Sequence, residues 1–362
     1  MDHKILVLNP GSTSTKIALY ENKRQIFSEN IEHSSSELLN FADLFDQAGY
    51  RAKAINSVLL KHSVVLSELT AIAGRGGILP NMESGGYLVT EALVDALHDD
   101  NIFPHASNLG GILAFEIAEQ LGIKAYIYDA VTANEFPDIA AVTGMPDVRR
   151  SNLCHVLNMK AVSRKVAEKY GKKYEDLCLL LAHLGGGITV AVLKDGKIID
   201  SIGDDAGPFA PERSGSVPLF FVIDMCYSGK YNKREMSVKV RGQGGLKAYF
   251  GTSDCREIEK MIADGNQQAK LMYEAMAYQV AKGIGQLAPV VNGNLDYVVL
   301  TGGLAYSEML TKMISERVSF IAPIEIVPGE GEMEALALGV LRIMKGEEDA
   351  KEYQPIKKEK RR

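Results

Sequence analysis

Three stretches of the sequence join a run of apolar residues directly to a turn rich in glycine. The runs 5–8, 179–182 and 296–300 lead into NPGSTS, HLGGGI and TGGLA. Backbone N–H groups in such turns can face an anion, and phosphate is the most natural one. The pattern therefore predicts that a phosphorylated molecule binds between two halves of the chain.

The standard nucleotide-binding motifs do not account for these turns. GxxxxGK[ST] does not occur, since Gly229-Lys230 is followed by Tyr231 and Gly196-Lys197 by Ile198. GxGxxG is also missing, so a Rossmann dinucleotide site is not supported.

Polar side chains on the first two turns could contact such a ligand. The first turn carries Asn9, Ser12, Ser14 and Lys16, and the second begins at His183. The alternation of 12, 14 and 16 predicts that these side chains share one face of an extended strand. The alternatives are a solvated hairpin face for this group and a purely structural role for the histidine.

Four more charged or titratable residues lie at positions that favour a ligand. Arg75 lies among glycines in GRGG, which predicts a guanidinium that approaches a ligand from exposed backbone. Arg213, in PERSG, is similar, although an isolated arginine is more often a surface charge. Asp129 closes the apolar run 125–128, at the end of a strand where α/β proteins place ligands. His155 precedes a helical pattern and could instead be a cap or a core residue.

The wider pattern is that of an α/β protein. The hairpin predicted over 5–20 recurs over 179–193, each with a polar tip after its second strand, which indicates a duplicated architecture. Apolar residues near 3.6-residue spacing predict helices over 107–121, 158–170, 267–287, 307–317 and 332–344. Strands that alternate with helices favour the α/β class.

Composition excludes several roles. The 362 residues are 46% hydrophobic with a net charge of −6, which disfavours nucleic-acid binding. No apolar run reaches the length of a membrane helix, and residues 1–4 contain no basic leader, so we expect neither membrane nor secretion. The four cysteines form no CxxC pair, which favours reduced thiols and a cytoplasmic protein.

Five motifs in order resemble the acetokinase family, over nearly the whole chain. They are NPGSTSTK (9–16), AHLGGGITV (182–190), APERSGSVP (210–218), FGTSDCRE (250–257) and LTGGLA (300–305). Acetate kinases usually carry NAGSSS, HRxxHGG and GTRSGDxDP where this chain reads NPGSTS, AGRGGI and PERSGSVP, and they are usually longer. These departures point towards the butyrate and related short-chain acyl kinases of the family.

The resemblance implies an α/β fold of two duplicated actin-like ATPase (ribonuclease H-like) domains with a cleft between them. We expect an N-terminal domain over 1–149, a C-terminal nucleotide domain over 150–330 and a helix over 331–345 that packs back towards the N-terminal domain. The charge-rich tail 346–362 has little to bury and is expected to be frayed.

The resemblance also implies roles for individual residues. Nucleotide contacts fall on both phosphate turns and the adenosine pocket: Asn9, Ser12, Ser14, Lys16, His183, Gly185, Gly186, Gly187, Asp254, Cys255, Arg256, Gly302, Gly303 and Leu304. The catalytic residues that the resemblance implies are Arg75, Asp129, His155 and Arg213. Glu332, Asp129 and Asn9 match the metal-linked positions, and the neighbouring Glu330 and Glu334 remain alternatives to Glu332.

The implied reaction is reversible transfer of the ATP γ-phosphate to the carboxylate of butanoate, with Mg²⁺ and by direct in-line attack. The alternatives are isobutyrate, propionate or acetate as the acceptor. Other classes fit less well, since a chaperone-like ATPase needs a peptide-binding domain and a sugar kinase needs a general base. By analogy with the family, we expect at least a dimer.

Overall fold

The computed structural model describes residues 2–41, 43–99, 105–203 and 206–355. The strands are β1 Lys4–Pro10, β2 Ser14–Glu21, β3 Arg24–Glu32, β4 Ala71–Arg75, β5 Gly86–Leu88, β6 Lys124–Tyr128, β7 Leu179–Leu184, β8 Ile188–Lys194, β9 Lys197–Ile202, β10 Tyr297–Gly302, β11 Ile324–Pro328 and β12 Lys351–Glu352. The helices are α1 Ser35–Leu38, α2 Ala48–Lys61, α3 Glu91–Leu97, α4 Asn108–Leu121, α5 Asp138–Ala141, α6 Val156–Tyr170, α7 Leu219–Tyr227, α8 Lys233–Val240, α9 Leu246–Phe250, α10 Cys255–Ala263, α11 Gln267–Leu287, α12 Glu308–Val318 and α13 Glu332–Met344.

The chain divides into two compact units. The first contains residues 1–134 and 331–362, and the second contains residues 135–330. The division falls between residues 134 and 135, whereas the sequence predicts a boundary between residues 149 and 150. Helix α13 packs on β1, β4 and β6 and therefore belongs with the first unit.

The two units repeat one sheet topology. In the first unit the order is β12-β5-β6-β4-β1-β2-β3, with an antiparallel meander β1-β2-β3 and parallel pairing of β1, β4 and β6. In the second it is β11-β10-β7-β8-β9, with an antiparallel meander β7-β8-β9 and parallel pairing of β7, β10 and β11. The α/β class and the two recurring hairpins predicted from the sequence are confirmed.

Helices pack on these sheets through their apolar faces. Leu6, Leu8 and Ile72 of the first sheet form a core with Ile55 of α2 and Leu113 of α4. The second unit has its own core, in which β7, β8 and β10 pack against α11 and α12. The five predicted helices are confirmed with ends within about two residues, the usual scatter of helix boundaries.

Helix ends follow the expected cap chemistry. Gly122 and Gly171 follow α4 and α6 with φ values of 65° and 62°, a conformation that glycine adopts without strain. Asn266 caps α11 by accepting a hydrogen bond from the Ala269 N–H, and Ser307 caps α12 in the same way.

Part of the charged tail is ordered against the first unit. β12 pairs with β5, and the Tyr353 side chain is buried in the core of that unit. The Glu348 carboxylate accepts a hydrogen bond from the Tyr128 hydroxyl at 2.6 Å. The burial of Tyr353 and the pairing of β12 thus hold part of the segment that its high charge predicts to be frayed. Residues 356–362 lie outside the described residues. No helix in the described part is long and apolar enough to cross a membrane.

Candidate active site

The first glycine turn connects β1 to β2 in the first unit. Ser14 and Lys16 are alternate residues of β2, so their side chains lie on the same side of that strand. Lys16 pairs in register with Asn9 of β1. The prediction that Ser12 lies on the same extended strand is wrong. The Gly11 N–H donates to the Ser14 carbonyl at 2.7 Å, which closes a turn, and β2 begins only at Ser14.

Arg75, Glu332 and Asn9 form one cluster in the first unit. Arg75 ends β4, and its Nη1 lies 2.5 Å from Oε1 of Glu332, the first residue of α13. Asn9 Nδ2 donates to the other carboxylate oxygen of Glu332 at 2.7 Å. The Arg75 and Glu332 side chains are only 11% and 19% exposed. A negative charge in the first turn of a helix is further stabilised by the helix dipole.

The glycines around Arg75 have a different role from the predicted one. Gly74, Gly76 and Gly77 are buried, so the prediction of exposed backbone is wrong. A Cβ on Gly74 would lie 2.2 Å from the Gly110 carbonyl oxygen of α4, and one on Gly76 would lie 2.7 Å from the Ala130 Cα. The glycines thus let β4 approach α4 and residue 130 closely, which fixes the backbone that carries Arg75.

Asp129 directly follows β6 and is 2% exposed. Its φ of 44° lies in the left-handed region, where aspartate and asparagine are tolerated better than most residues. Asp129 Oδ1 accepts from the Gly85 N–H at 2.8 Å, and the Asp129 N–H donates to the Gly85 carbonyl at 3.1 Å. These reciprocal bonds hold the carboxylate at the carboxyl end of its strand.

Oxygen donors suited to a hard cation are present, although they form no complete cage. Within the described ranges, no three His, Cys, Asp or Glu side chains gather at metal-binding distance. Mg²⁺ with a bound nucleotide needs only one or two carboxylates, because water and phosphate complete its octahedron. Asp129 and Glu332 each offer carboxylate oxygens of the kind that Mg²⁺ binds. Glu332 is the glutamate that contacts Asn9, whereas Glu330 approaches His183 in the second unit.

The two predicted histidines stack on each other in the second unit. The rings of His155 and His183 are parallel within 9°, with centroids 3.8 Å apart. His155 Nδ1 is hydrogen-bonded to the Thr189 hydroxyl at 2.9 Å, and His183 Nδ1 to the Asn158 side-chain amide at 2.8 Å. Asn158 also donates to Thr301 Oγ1 at 3.3 Å. The sequence did not single out these three supporting side chains.

His183 is buried to 1% exposure at the end of β7. Its Nε2 lies 3.5 Å from Glu330 Oε1 and makes no hydrogen bond among the described residues. Buried polar atoms are almost always hydrogen-bonded, and an exception is explained by a bound water, ion or ligand, by strain or by a catalytic role.

The glycine turn 185–187 and the segment of Arg213 contact each other. The Glu212 N–H donates to the Gly186 carbonyl at 3.0 Å, and the Arg213 guanidinium donates to the Glu212 carbonyl at 3.1 Å. A Cβ on Gly245 would lie 1.6 Å from the Ala210 carbonyl oxygen, so the Arg213 segment packs tightly on residues 244–245. These contacts place the Arg213 segment beside the second turn, and the Arg213 side chain is 21% exposed.

The third glycine turn is shaped by close packing. Gly302 has a φ of 91°, and a Cβ there would lie 2.4 Å from the Leu184 carbonyl oxygen. Only glycine allows the ends of β7 and β10 to meet so closely. Gly303 and Leu304 continue into a short 3-10 turn over Gly303–Tyr306.

The predicted adenosine segment begins α10. Asp254 caps this helix by accepting from the Arg256 N–H at 2.9 Å, and hydrogen bonds from Arg256 lower the pKa of the Asp254 carboxyl to about 2. Arg256 itself is 91% exposed. Cys255 is packed in the core of the unit, and burial raises the pKa of its thiol to about 12. Asp254 and Arg256 can therefore offer their side chains to a ligand, whereas Cys255 is positioned to offer only its backbone.

Solved structures share this fold. Acetate kinase from Porphyromonas gingivalis superposes with a TM-score of 0.78 at 20% identity, covering 94% of this chain and 100% of that one. Propionate kinase from Francisella tularensis subsp. tularensis SCHU S4 superposes with a TM-score of 0.73 at 20% identity, covering 93% of this chain and 98% of that one. Acetate kinase from Entamoeba histolytica superposes with a TM-score of 0.75 at 17% identity, covering 93% of this chain and 98% of that one. At these identities the likeness establishes the fold alone.

The sequence match is more specific than the shared fold. The profile of the acetokinase family matches residues 138–322, just over half of the chain. The chain therefore belongs to the acetokinase family, whose members are kinases with a carboxylate as phosphoryl acceptor.

Proposed function

We propose that this protein transfers the γ-phosphate of ATP reversibly to the carboxylate of butanoate, giving butanoyl phosphate and ADP. The cluster of Arg75, Glu332 and Asn9 carries the proposal most directly. It presents a largely buried guanidinium that already holds one carboxylate 2.5 Å away. We propose butanoate as the acceptor, in preference to acetate and propionate, because the NPGSTS, AGRGGI and PERSGSVP segments differ from the usual acetate kinase motifs.

The chemistry of a carboxylate acceptor matches these residue types. A short-chain acid has a pKa near that of a glutamate side chain, about 4–5, and is ionised at neutral pH. No general base is needed, and the barrier comes from repulsion between anions and from charge that develops on the phosphoryl oxygens. Positioning and electrostatic stabilisation therefore supply most of the catalysis. Arg75 and Arg213 are each proposed to bind an anionic group of the reactants, because a planar guanidinium matches both carboxylate and phosphate.

The stacked histidines are the proposed donors to the phosphoryl group. His183 Nε2 is buried and makes no hydrogen bond among the described residues, so a phosphoryl oxygen would supply its partner. Thr189 and Asn158 hold the Nδ1 atoms of His155 and His183, which fixes the orientation of both rings. Asn9, Ser12, Ser14, Lys16 and the 185–187 turn are proposed to contact the nucleotide phosphates, and Asp254, Cys255, Arg256 and 302–304 the adenosine.

Mg²⁺ is proposed to enter with the nucleotide. Asp129 and Glu332 would hold it through water, with Asn9 as a neighbour of Glu332. When bound, the ion neutralises phosphate charge during transfer. Asp129 is fixed by its bonds to Gly85, and Glu332 by Arg75, so both carboxylates are preorganised.

Assembly and compartment are part of the proposal. Leu219, Phe220 and Phe221 of α7 are 76%, 82% and 66% exposed in the single chain. Contiguous exposed apolar side chains of this kind mark protein interfaces, which supports a homo-oligomer of at least two chains. The four cysteines are unpaired, in keeping with a cytoplasmic protein.

The test is ATP-dependent formation of acyl hydroxamate with Mg²⁺ across acetate, propionate, butyrate, isobutyrate and valerate. We expect the highest kcat/KM at four or five carbons, with graded losses for neighbouring acids, because one methylene in a pocket changes the barrier by only about 1–3 kcal/mol. A maximum at acetate would overturn butanoate and keep the carboxylate kinase. Absence of hydroxamate with every acid would overturn the proposed activity.

A further inference from the structure

A buried arginine lies under the first glycine turn. Arg51, on α2, is 0% exposed and is among the largest fully buried side chains of the chain. No carboxylate lies within ion-pair distance of it in the described residues. Burial of a guanidinium without an acidic partner is costly, so such a residue is retained only where its hydrogen bonds compensate.

Those hydrogen bonds go to the backbone of the turn. Nη1 donates to the carbonyls of Gly11 at 3.0 Å and Ser14 at 2.8 Å, and Nη2 donates to the carbonyl of Ser12 at 3.1 Å. The remaining carbonyl, that of Thr13, accepts from the His33 N–H at 2.8 Å. Every carbonyl from residue 11 to residue 14 therefore accepts a hydrogen bond.

The Ser12 and Thr13 N–H groups of the turn point away from Arg51. In a trans peptide the C=O of one residue and the N–H of the next point in opposite directions. The Ser12 and Thr13 N–H groups thus point away from the side chains that hold the carbonyls of Gly11 and Ser12. Neither N–H makes a hydrogen bond within the described ranges, and both residues are exposed. Adjacent free N–H groups form a concavity suited to an anion.

The guanidinium is itself held in place. Gln47 Oε1 accepts from Arg51 Nε at 3.2 Å and from Nη2 at 2.9 Å. Thr15 Oγ1 accepts from Nη1 at 3.0 Å and is hydrogen-bonded to His33 Nε2 at 2.8 Å. The planar fork of arginine is what allows several fixed acceptors to be bound at once, and lysine cannot reproduce it.

We propose that Arg51 is a positioning residue that holds the Gly11–Ser14 turn with its Ser12 and Thr13 N–H groups aimed at the β- or γ-phosphate of a nucleotide, which AMP lacks. The inference rests on the proposed function for the identity of that anion. Arg51 touches neither substrate nor metal, and it acts only through the backbone of the turn and the positive charge beneath it.

The test compares Arg51→Ala, Arg51→Lys and Gln47→Met with wild type by calorimetric binding of ATP and AMP. Losing one hydrogen bond to a charged group costs about 10–10²-fold in affinity. We expect ATP affinity to fall by that order in Arg51→Ala, nearly as far in Arg51→Lys and less in Gln47→Met, while AMP affinity is unchanged. In the kinetic assay KM for ATP rises and KM for the acid does not, and millimolar ethylguanidinium partly restores Arg51→Ala.

Ile55→Ala is the matched control. Ile55 is 0% exposed one turn further along α2, so this variant loses core packing without touching the turn. It should lower the melting temperature and leave the ATP-to-AMP affinity ratio as in wild type. If Arg51→Ala is too unstable to purify, Gln47→Met and Arg51→Lys still decide the question. An unchanged affinity ratio in both, or an equal loss in Ile55→Ala, would overturn the proposal. If wild type binds ATP but phosphorylates no acid, the proposed function fails while the binding comparison still tests Arg51.

Discussion

Replacing Arg75 with alanine is expected to lower kcat/KM for butanoate by about 10²–10³-fold, the effect of removing one preorganised group that stabilises transition-state charge. The loss should appear in kcat as well as in KM, since Arg75 is proposed to bind the carboxylate and to stabilise charge on the phosphoryl group. Arg75→Lys should recover little, because an ammonium keeps the charge and loses the bidentate fork. The measurement is steady-state hydroxamate formation with butyrate and ATP varied in turn.

Arg75 also pairs with Glu332, so the variant needs a control for folding. Removing one partner of a largely buried pair leaves the other charge uncompensated and lowers the melting temperature. The double variant Arg75→Ala/Glu332→Ala should regain stability without regaining activity. Arg24→Ala, which removes an exposed arginine of the same unit, should match wild type in both assays. Near-normal kcat/KM in a folded Arg75→Ala protein would rule out this role for Arg75.

Asp129→Asn is expected to raise the Mg²⁺ concentration needed for half-maximal activity by about 10–100-fold, the range seen when a supporting group of a metal site is lost. Asparagine is the gentlest replacement, because it tolerates the φ of 44° and keeps an oxygen for the Gly85 N–H. The fold should therefore survive, and the lost charge alone is tested.

The measurement is a Mg²⁺ titration of hydroxamate formation at fixed ATP. Asp138→Asn, at a carboxylate that is 95% exposed, is the matched control and should titrate as wild type. An Asp129→Asn variant with near-normal kcat and an unchanged Mg²⁺ requirement would contradict the metal role of Asp129.

Local patterns were enough to predict some of the elements that carry the site, but not β4 or α10. The hairpins at 5–20 and 179–193 and the five predicted helices follow from apolar periodicity. These features depend on neighbours a few residues apart, which a sequence displays directly. The positions of Asn9, Asp129 and His183 at strand ends follow from the same patterns.

What the sequence hides are contacts between distant segments. The glycines beside Arg75 are explained only by Gly110 and Ala130, which come close in the folded unit alone. Asn158 supports His183 from another element in the same way.

The position of Arg51 in the helical pattern of α2 could have drawn attention to it from the sequence alone. It lies in register with Ile55, Val58 and Leu59 on the apolar side of α2, where an arginine is out of place. A charged residue on a predicted core stripe is therefore worth testing as the centre of a buried polar network.

The most direct test of a carboxylate kinase is to follow the carboxylate oxygen itself. Butyrate labelled with ¹⁸O in both carboxylate oxygens is incubated with ATP, Mg²⁺ and the enzyme, and the products are resolved by ³¹P NMR. In-line attack on the γ-phosphorus predicts ADP together with butanoyl phosphate whose resonance carries the isotope shift of a bridging ¹⁸O. Label in AMP, or ADP formed with unlabelled phosphate alone, would contradict the account.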